Sequence, residues 1–555
     1  MAAVVPAGLA PEPDPAPAPR KLRVGLIAAA RRQPQWVVDA FAAVAKSDYA
    51  TIALIVETGG APARTGALWA LYDRADRLAF ARDADPAAEA DLLAGVAHER
   101  FLRLAGDAEL RELPFALDAV FILDGVDERR VQAWAGDGRV PCGLWRFELG
   151  AGGRAPGRLV GFQEVAGQVP LTPSGLSVWL EGGWRLAYRS WSRTYPLSPA
   201  RTRAQVLEKT AQFPARALRE LYRCGPGWLR RRGQPLPDRS PGRKADAAPG
   251  ANRALASLLG IARIGGRIAR RGVEKALNVE QWFLAYRFGC GPGGDPRAID
   301  TRLEGFRRLM PPPDRYWADP FPLERNGRYF VFFEELPFRA GKAHIAMVEL
   351  GADGAVSAPV TVLERDYHLS YPFILEHDGQ LYMVPETGRR GTVELYRCVD
   401  FPLRWRLERV LMDGIRCVDA TFHREAGRWW LFANVAAGRS RVFDDELHLF
   451  HAADLLGEWT PHAANPVKSD ARSSRPAGRL YRKAGALYRP AQICVPLYGA
   501  GLAIHRVLRL TPHEYVERQV SRVLPSHEAG LLGVHTINRA GDLTVIDAFT
   551  RIPRF

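Results

Sequence analysis

The sequence predicts two folded parts in series: an α/β, Rossmann-like domain with an open, mostly parallel sheet over residues 21–224, and an all-β five-bladed β-propeller over residues 276–555. Three observations carry this expectation. The first part alternates short apolar runs with stretches of helical spacing. The second repeats an aromatic strand–turn–strand template at intervals of about 50 residues, the size of one four-stranded propeller blade. Between the two, the chain turns basic and rich in Pro and Gly, without apolar periodicity. At 555 residues, 47% hydrophobic and 25% charged, the chain has ample material for more than one core, and its composition excludes collagen-like, coiled-coil and wholly disordered classes.

Taken in order, the opening MAAVVPAGLAPEPDPAPAP lacks a basic start followed by an apolar stretch. It predicts a disordered tail over residues 1–20 rather than a secretion signal, and with it a cytoplasmic location. No apolar run approaches the ~20 residues of a membrane-spanning helix. KLRVGLIAAA then reads as a strand, RQPQWVVDAFAAVAKS as a helix through Trp36, Val37, Ala40, Phe41 and Val44, and TIALIVET as a second strand, which together make a βαβ unit. LDAVFILDG (residues 117–125) supplies a further strand before another helical stretch. The turn AAARRQPQW has no dinucleotide-type glycine spacing and no Walker A sequence occurs, so no cofactor is expected. Six scattered cysteines without a C-x-x-C pair suggest neither a disulfide framework nor a structural metal site.

The net charge of +15 is concentrated. Residues 225–275 hold twelve basic side chains against three acidic ones, a net +9, and the remaining 504 residues carry only +6. RRRGQPLPDRSPG and GRKADAAPGAN mark a linker, and residues 225–255 are expected to be weakly packed. From 253 to 277 the pattern becomes a basic amphipathic helix, with Leu255, Leu258, Ile261, Ala262 and Ile268 on one face and Arg263, Arg267, Arg270 and Arg271 on another. Such a helix suits an anionic membrane surface or a face of its own protein. No nucleic-acid module accompanies the charge, so nucleic acid is not an expected partner.

In the second part, FPLERNGRYFVFF, FILEHDGQLYMVP, TFHREAGRWWLFA and RLYRKAGALYRPA are four copies of one template, and LGVHTINRAGDLTVIDAF would supply a fifth blade. The signature positions fall at Asp319, Tyr371, Asp419 and Arg475, separated by 52, 48 and 56 residues. Innermost strands of successive blades converge on one channel, so these side chains are expected to face one another. Asp319, Asp419 and the nearby Glu386 are the acidic residues at this convergence, and the resemblance to glycoside hydrolase propellers given below implies them as the candidate catalytic carboxyls, since chemistry at a glycosidic centre uses one protonated and one ionised carboxyl group. Arg475, Trp317, Tyr371 and His535 are candidate sugar-binding residues, with Trp430, His344, His368 and His527 nearby in the pattern. The plainer alternatives are a turn carboxylate before Pro320 for Asp319 and a salt-bridged strand end for Glu386.

Two resemblances add to this reading. Residues 21–221, through CGLWRFELGAGGRAPGRLVGFQEV and SGLSVWLEGGWRL, resemble the formyltransferase fold, but Arg146 and Glu148 stand where that family has Asn and His, and Glu181-Gly182-Gly183 stands near its Asp-Gly stretch. Formyl transfer is therefore not expected. The WADPF start resembles the five-bladed propellers of furanosidase-type glycoside hydrolases, including the arabinanase and invertase groups. RYWADPFP, SYPFILEHDGQLYMVPET, DATF, ELHLFHAADLLGEWTPHAANPV and SSRPAGRLYR are similar to the N-terminal propeller of glucosamine inositolphosphorylceramide transferases, and of bacterial proteins joining it to a formyltransferase-like domain. The resemblance implies Asp319 as base or nucleophile and Asp419 as the carboxylate tuning the acid. Glu386 departs from the hydrolase position of the acid, which would fall nearer Glu446. The function expected is glycosyl transfer in cell-surface glycan or glycolipid assembly, on a sugar or glycan substrate with an activated sugar donor. A glycoside hydrolase and a non-catalytic glycan-binding module are the alternatives. The expected place is cytoplasmic or peripheral at the inner face of a membrane.

Overall fold

A computed structural model of the chain describes residues 20–59, 67–80, 84–104, 116–136, 139–151, 153, 157–232, 234–235, 250–289, 299, 302–436, 443–525 and 531–554. Residues 1–19 of the expected disordered tail, residues 233 and 236–249 of the expected linker, and His527 lie outside these residues.

The N-terminal part is built on one eight-stranded mixed sheet with helices. Strands Leu22–Ala28, Ala50–Glu57, Arg100–Arg103, Ala119–Ile122 and Leu144–Leu149 run parallel to their neighbours, and Leu171–Leu180, Gly183–Arg193 and Gln234–Pro235 add an antiparallel edge. The continuous apolar runs read in the sequence are explained by burial on both faces. Val24, Leu26 and Phe121 face a core with Trp36 and Phe41 from helix Gln35–Ala45, whereas Ile27, Val120 and Ile122 face a second core with Val131 and Trp134 from helix Glu128–Ala135. Trp228 and Leu229 also pack into the first core, so the segment expected to be a linker begins packed.

The long helix Gly250–Leu277 follows. Its expected apolar face is not the one it buries: Leu258, Leu259 and Ile268 are exposed, and the contact is made by Ile264 and Gly260. A Cβ at Gly260 would meet Phe162 at 2.9 Å and Ala166 at 3.2 Å, so the glycine that lowers helix propensity is the residue that lets the helix approach.

The remainder forms five antiparallel sheets. The first to fourth blades start on innermost strands Arg315–Arg325, Ser370–His377, Cys417–Glu425 and Tyr481–Lys483. The fifth combines Ile537–Ala540 and Leu543–Pro553 from the chain end with Asn278–Phe288 and Arg307–Leu309. Asn278–Phe288 pairs along its length with Leu543–Pro553 and so closes the ring. The ring is also closed in its packing: one core joins the first three blades, and others join third to fourth, fourth to fifth and fifth to first. The N-G, D-G and A-G pairs of the repeat are hairpin turns with positive φ at both residues, as at Asn326-Gly327, Asp378-Gly379 and Ala484-Gly485. Among the described residues no helix is long and apolar enough to cross a membrane.

Candidate functional site

Three blades begin with the same irregularity. Strand pairing slips between Ala318 and Phe321, Ser370 and Phe373, and Val418 and Thr421. The residue inside each slip, Asp319, Tyr371 or Asp419, has φ of 51°, 45° or 54°. A bulge re-aims its side chain, and left-handed backbone at such residues costs of order 1–3 kcal/mol. Arg475 and His535 stand at the corresponding places before the fourth and fifth innermost strands, the last separated from Arg475 by 60 residues.

These five positions meet in contacts across the ring. Asp319 Oδ1 lies 3.1 Å from Nε2 of His535 and accepts a hydrogen bond from the Thr536 hydroxyl at 3.0 Å. The other nitrogen of His535, Nδ1, is 2.9 Å from Asp547, whose carboxylate also accepts the backbone N–H of Asp319 at 2.9 Å. Asp419 accepts from Arg475 Nε at 2.5 Å and from Gln492 Nε2 at 2.8 Å. Glu386, opposite Ser370 on the second strand of its blade, is hydrogen-bonded to the Asp419 carboxyl. Tyr371, fully buried, shares a hydrogen bond with the Thr421 hydroxyl at 2.8 Å and accepts from Gly478 N–H at 2.7 Å.

The charges do not balance one to one. Asp319, Glu386, Asp419 and Asp547 face two cations, Arg475 and His535. Burial would disfavour the ionised form of Asp319, but His535, Thr536 and Arg475 outweigh it and hold the carboxyl below its usual range. Burial works against the charged imidazole too, yet Asp547 and Asp319 raise His535 to about 10, so it is an imidazolium at neutral pH. Glu386 has no cation of its own, and burial, then Asp419 and Asp319, push it well above the carboxylate range. Burial also raises Asp419 against the pull of Arg475. The oxygens of Asp419 already accept from Arg475 and Gln492, so the proton shared by the pair sits on Glu386. The arrangement thus holds one neutral carboxylic acid beside one carboxylate, the pairing used at glycosidic centres.

Of the other residues singled out in the sequence, Trp317 is buried, donates its indole N–H to Glu335 at 2.9 Å and packs against Phe333. Trp430 is buried in the contact of the third and fourth blades. His344 and His368 lie 2.9 Å and 3.2 Å from Glu335 and Glu334. His535 is 2% exposed, packs edge-on against Trp282 and contacts Asp319. Sequence reasoning missed Asp547, Gln492 and Tyr498, the last lying 4.9 Å from the Arg475 guanidinium. Asp319, His535 and Asp547 bring their donor atoms within 4.8 Å of one another and would be a ligand set for a cation, in place of the two protons His535 carries between the carboxylates.

The site is joined to the N-terminal part. Asp444, 3.7 Å from Arg475, also pairs with Arg193 at 2.8 Å. Beside it, Asp445 pairs with Lys209 at 2.6 Å, and Glu446 takes Arg216 in a two-pronged contact of 2.7 and 2.8 Å. Within the N-terminal part, Arg146 is held by Glu148 and Glu128 at 2.9 and 2.7 Å and lies over Trp184, so it is engaged by its own sheet.

The family described as "Glucosamine inositolphosphorylceramide transferase 1, N-terminal" matches residues 309–538, a stretch that contains all five signature positions. The chain is similar to Glucosamine inositolphosphorylceramide transferase 1 of Oryza sativa subsp. japonica, 33% identical over 212 residues, covering 38% of this chain and 28% of the relative. It is also similar to the Arabidopsis thaliana protein of the same name, 32% identical over 221 residues, covering 39% and 29%. The chain therefore spans less than a third of the length of these curated relatives. Similar solved structures include the catalytic domain of the Coprinopsis cinerea GH62 alpha-L-arabinofuranosidase, 13% identical with a TM-score of 0.32, covering 49% of this chain and 98% of that one. Another is an exo-1,5-alpha-L-arabinanase from a bovine ruminal metagenomic library, 12% identical with a TM-score of 0.30, covering 44% and 98%. Both likenesses are too slight to bear on chemistry. Taken together, the matched stretch places the five converging side chains inside a propeller similar to the N-terminal portion of named glycolipid transferases.

Proposed function

We propose that the chain transfers a glycosyl group in glycolipid or cell-surface glycan assembly, with the sugar bound in the propeller channel. The observation that carries this reading is the convergence of buried Asp319, Glu386 and Asp419 on two cations, with Arg475 bound to Asp419, His535 against Asp319 and, among the described residues, no cation of its own for Glu386. In this reading Glu386 gives its proton to the departing oxygen as the bond to the anomeric carbon breaks. Asp319 accepts the proton of the attacking acceptor hydroxyl as the new bond forms. Asp419 and Arg475 set the proton on Glu386, and His535 keeps Asp319 charged and oriented. The names of the relatives support a sugar donor and an inositol-phosphate glycolipid acceptor.

In the same reading the N-terminal part has the formyltransferase-like fold without its chemistry and acts as a scaffold, divided from the propeller within residues 225–275. The basic long helix supports a location at the inner, cytoplasmic face of a membrane.

The test is turnover by the full chain with a panel of labelled nucleotide sugars and an inositol-phosphate sphingolipid. Labelled lipid that disappears in Asp319→Asn supports the reading. Release of free sugar alone assigns a hydrolase, and sugar binding with no turnover assigns a glycan-binding module.

A further inference from the structure

A cleft of about 440 Å³ lies between the end of the N-terminal sheet, the long helix and the propeller. Its walls carry six cations, Arg193, Arg267, Arg270, Arg271, Lys275 and Arg551, and one acid, Glu274. The acids that pair with these cations do not neutralise them. Glu274 serves Arg270, Arg271 and Arg551 at 3.5, 3.2 and 3.9 Å, Glu280 takes Arg271, and Asp444 takes Arg193. Six cations against three carboxylates leave a net +3 in one concavity.

Two side chains are conspicuously underused. Lys275 makes no ion pair among the described residues. Arg267 donates to the carbonyls of Pro196 and Val165, yet its Nη1 is buried without a partner among the described residues. Burial and the adjacent Arg270 both disfavour the charge on Arg267, as expected where cations are crowded without their counter-charge. Forked guanidiniums converging from separate elements suit the several oxygens of a phosphoryl group better than a single carboxylate. The opposite lining, Pro496 and the 46%-exposed Leu497, suits the less polar body attached to it.

We propose that this cleft binds the phosphoryl group of a phosphate ester, either a lipid headgroup or a soluble nucleotide diphosphate. Arg193 lines the cleft and is linked through Asp444 to Arg475 of the channel, so an anion held on Arg193 would be joined to the carboxyl site through a chain of two ion pairs. The inference stands on the cleft alone and can be read without turnover.

The experiment titrates the full chain with inorganic pyrophosphate by calorimetry. Binding should weaken roughly tenfold or more in Arg270→Gln/Lys275→Gln. Arg270 is 78% exposed and Lys275 has no partner among the described residues, so this variant should keep the fold, which its melting temperature checks. Arg551→Gln gives a second reading from the propeller side. Arg406→Gln/Arg409→Gln removes the same charge from exposed positions on the outer strand of the second blade and should leave binding unchanged. Cosedimentation with phosphatidylcholine vesicles, with and without phosphatidic acid, separates the sources. Acid-dependent cosedimentation displaced by pyrophosphate assigns a headgroup, and pyrophosphate binding without cosedimentation assigns a soluble ligand. Binding of neither probe, or equal weakening in the cleft and control variants, overturns the proposal.

Discussion

Two buried clusters of charge lie side by side in this molecule, and they are built to opposite rules. Where the N-terminal part meets the third blade, three consecutive acids each receive one cation: Asp444 takes Arg193, Asp445 takes Lys209 and Glu446 takes Arg216. In the channel, four acids share Arg475 and His535. One-to-one pairing gives each acid a cation of its own and makes an interface; burial still raises Asp445 against the pull of Lys209, whereas Arg216 outweighs burial at Glu446. A shortage of cations forces one carboxyl to keep its proton, and that makes an acid available for chemistry. The clusters touch at Asp444, which is within 3.7 Å of Arg475, so the same side chain belongs to both.

The contrast is broken most severely by removing the channel carboxyls. Glu386→Gln and Asp319→Asn should each lower glycosyl transfer by ~10²–10⁴; Glu386→Gln, which replaces a group with no cation of its own, should keep a melting temperature close to wild type, whereas Asp319→Asn takes one of the two carboxylates from His535 and should lower it. Loss of folding with activity retained in the folded fraction would instead make Asp319 a turn carboxylate.

At the interface the expected loss is in stability. Arg216→Met abandons Glu446, 1% exposed, and should cost about 3–5 kcal/mol in chemical denaturation. Arg216→Met/Glu446→Leu should recover most of that, since a buried pair is commonly replaced by apolar residues without loss. Failure of the double variant to recover would show that the pair does more than satisfy itself.

Titration separates the clusters by sign. Glu446 is lowered to about 2, chiefly by Arg216 working against burial, so its contribution is complete above its unfolded value of 4.5 and is lost as pH falls towards 2. His535 is raised to about 10, so its contribution is complete below its unfolded value of 6.5 and is lost as pH rises towards 10. Each limb should approach a slope of about 1.4 kcal/mol per pH unit. Denaturation across pH should show the acid limb flattened in Glu446→Gln and the alkaline limb in His535→Gln. The smallest effect is expected at an exposed pair: Arg404→Gln, whose partner Asp400 is also exposed, should shift stability by no more than about 0.5 kcal/mol.

The channel was largely legible because a repeat exposes its own register. A spacing near 50 residues picks out Asp319, Tyr371, Asp419 and Arg475 from the sequence alone, and Glu386 stands out as a carboxyl at a strand end. His535 is harder to read as the fifth signature position, because 60 residues separate it from Arg475 and VHTIN lacks the aromatic of the first three copies. Asp547 is invisible for a different reason: it acts from a second strand, by accepting the backbone N–H of Asp319 from the first blade and those of His535 and Thr536 from its own. The interface was less legible still. Asp444-Asp445-Glu446 reads as an ordinary acidic turn, and its partners lie more than 200 residues away in sequence. The long helix is legible as a basic amphipathic helix suited to a membrane surface or to a face of its own protein, but the side it packs with is set by close approach through Gly260 and not by the stripe that holds Leu258 and Ile268.

The central claim is that cation shortage keeps Glu386 protonated at neutral pH, and infrared difference spectroscopy reads it directly. Wild-type protein at pH 7 should show a protonated-carboxyl stretch that disappears in Glu386→Gln and persists in Glu446→Gln. A spectrum without that band at pH 7, or a band untouched by Glu386→Gln, would contradict the account.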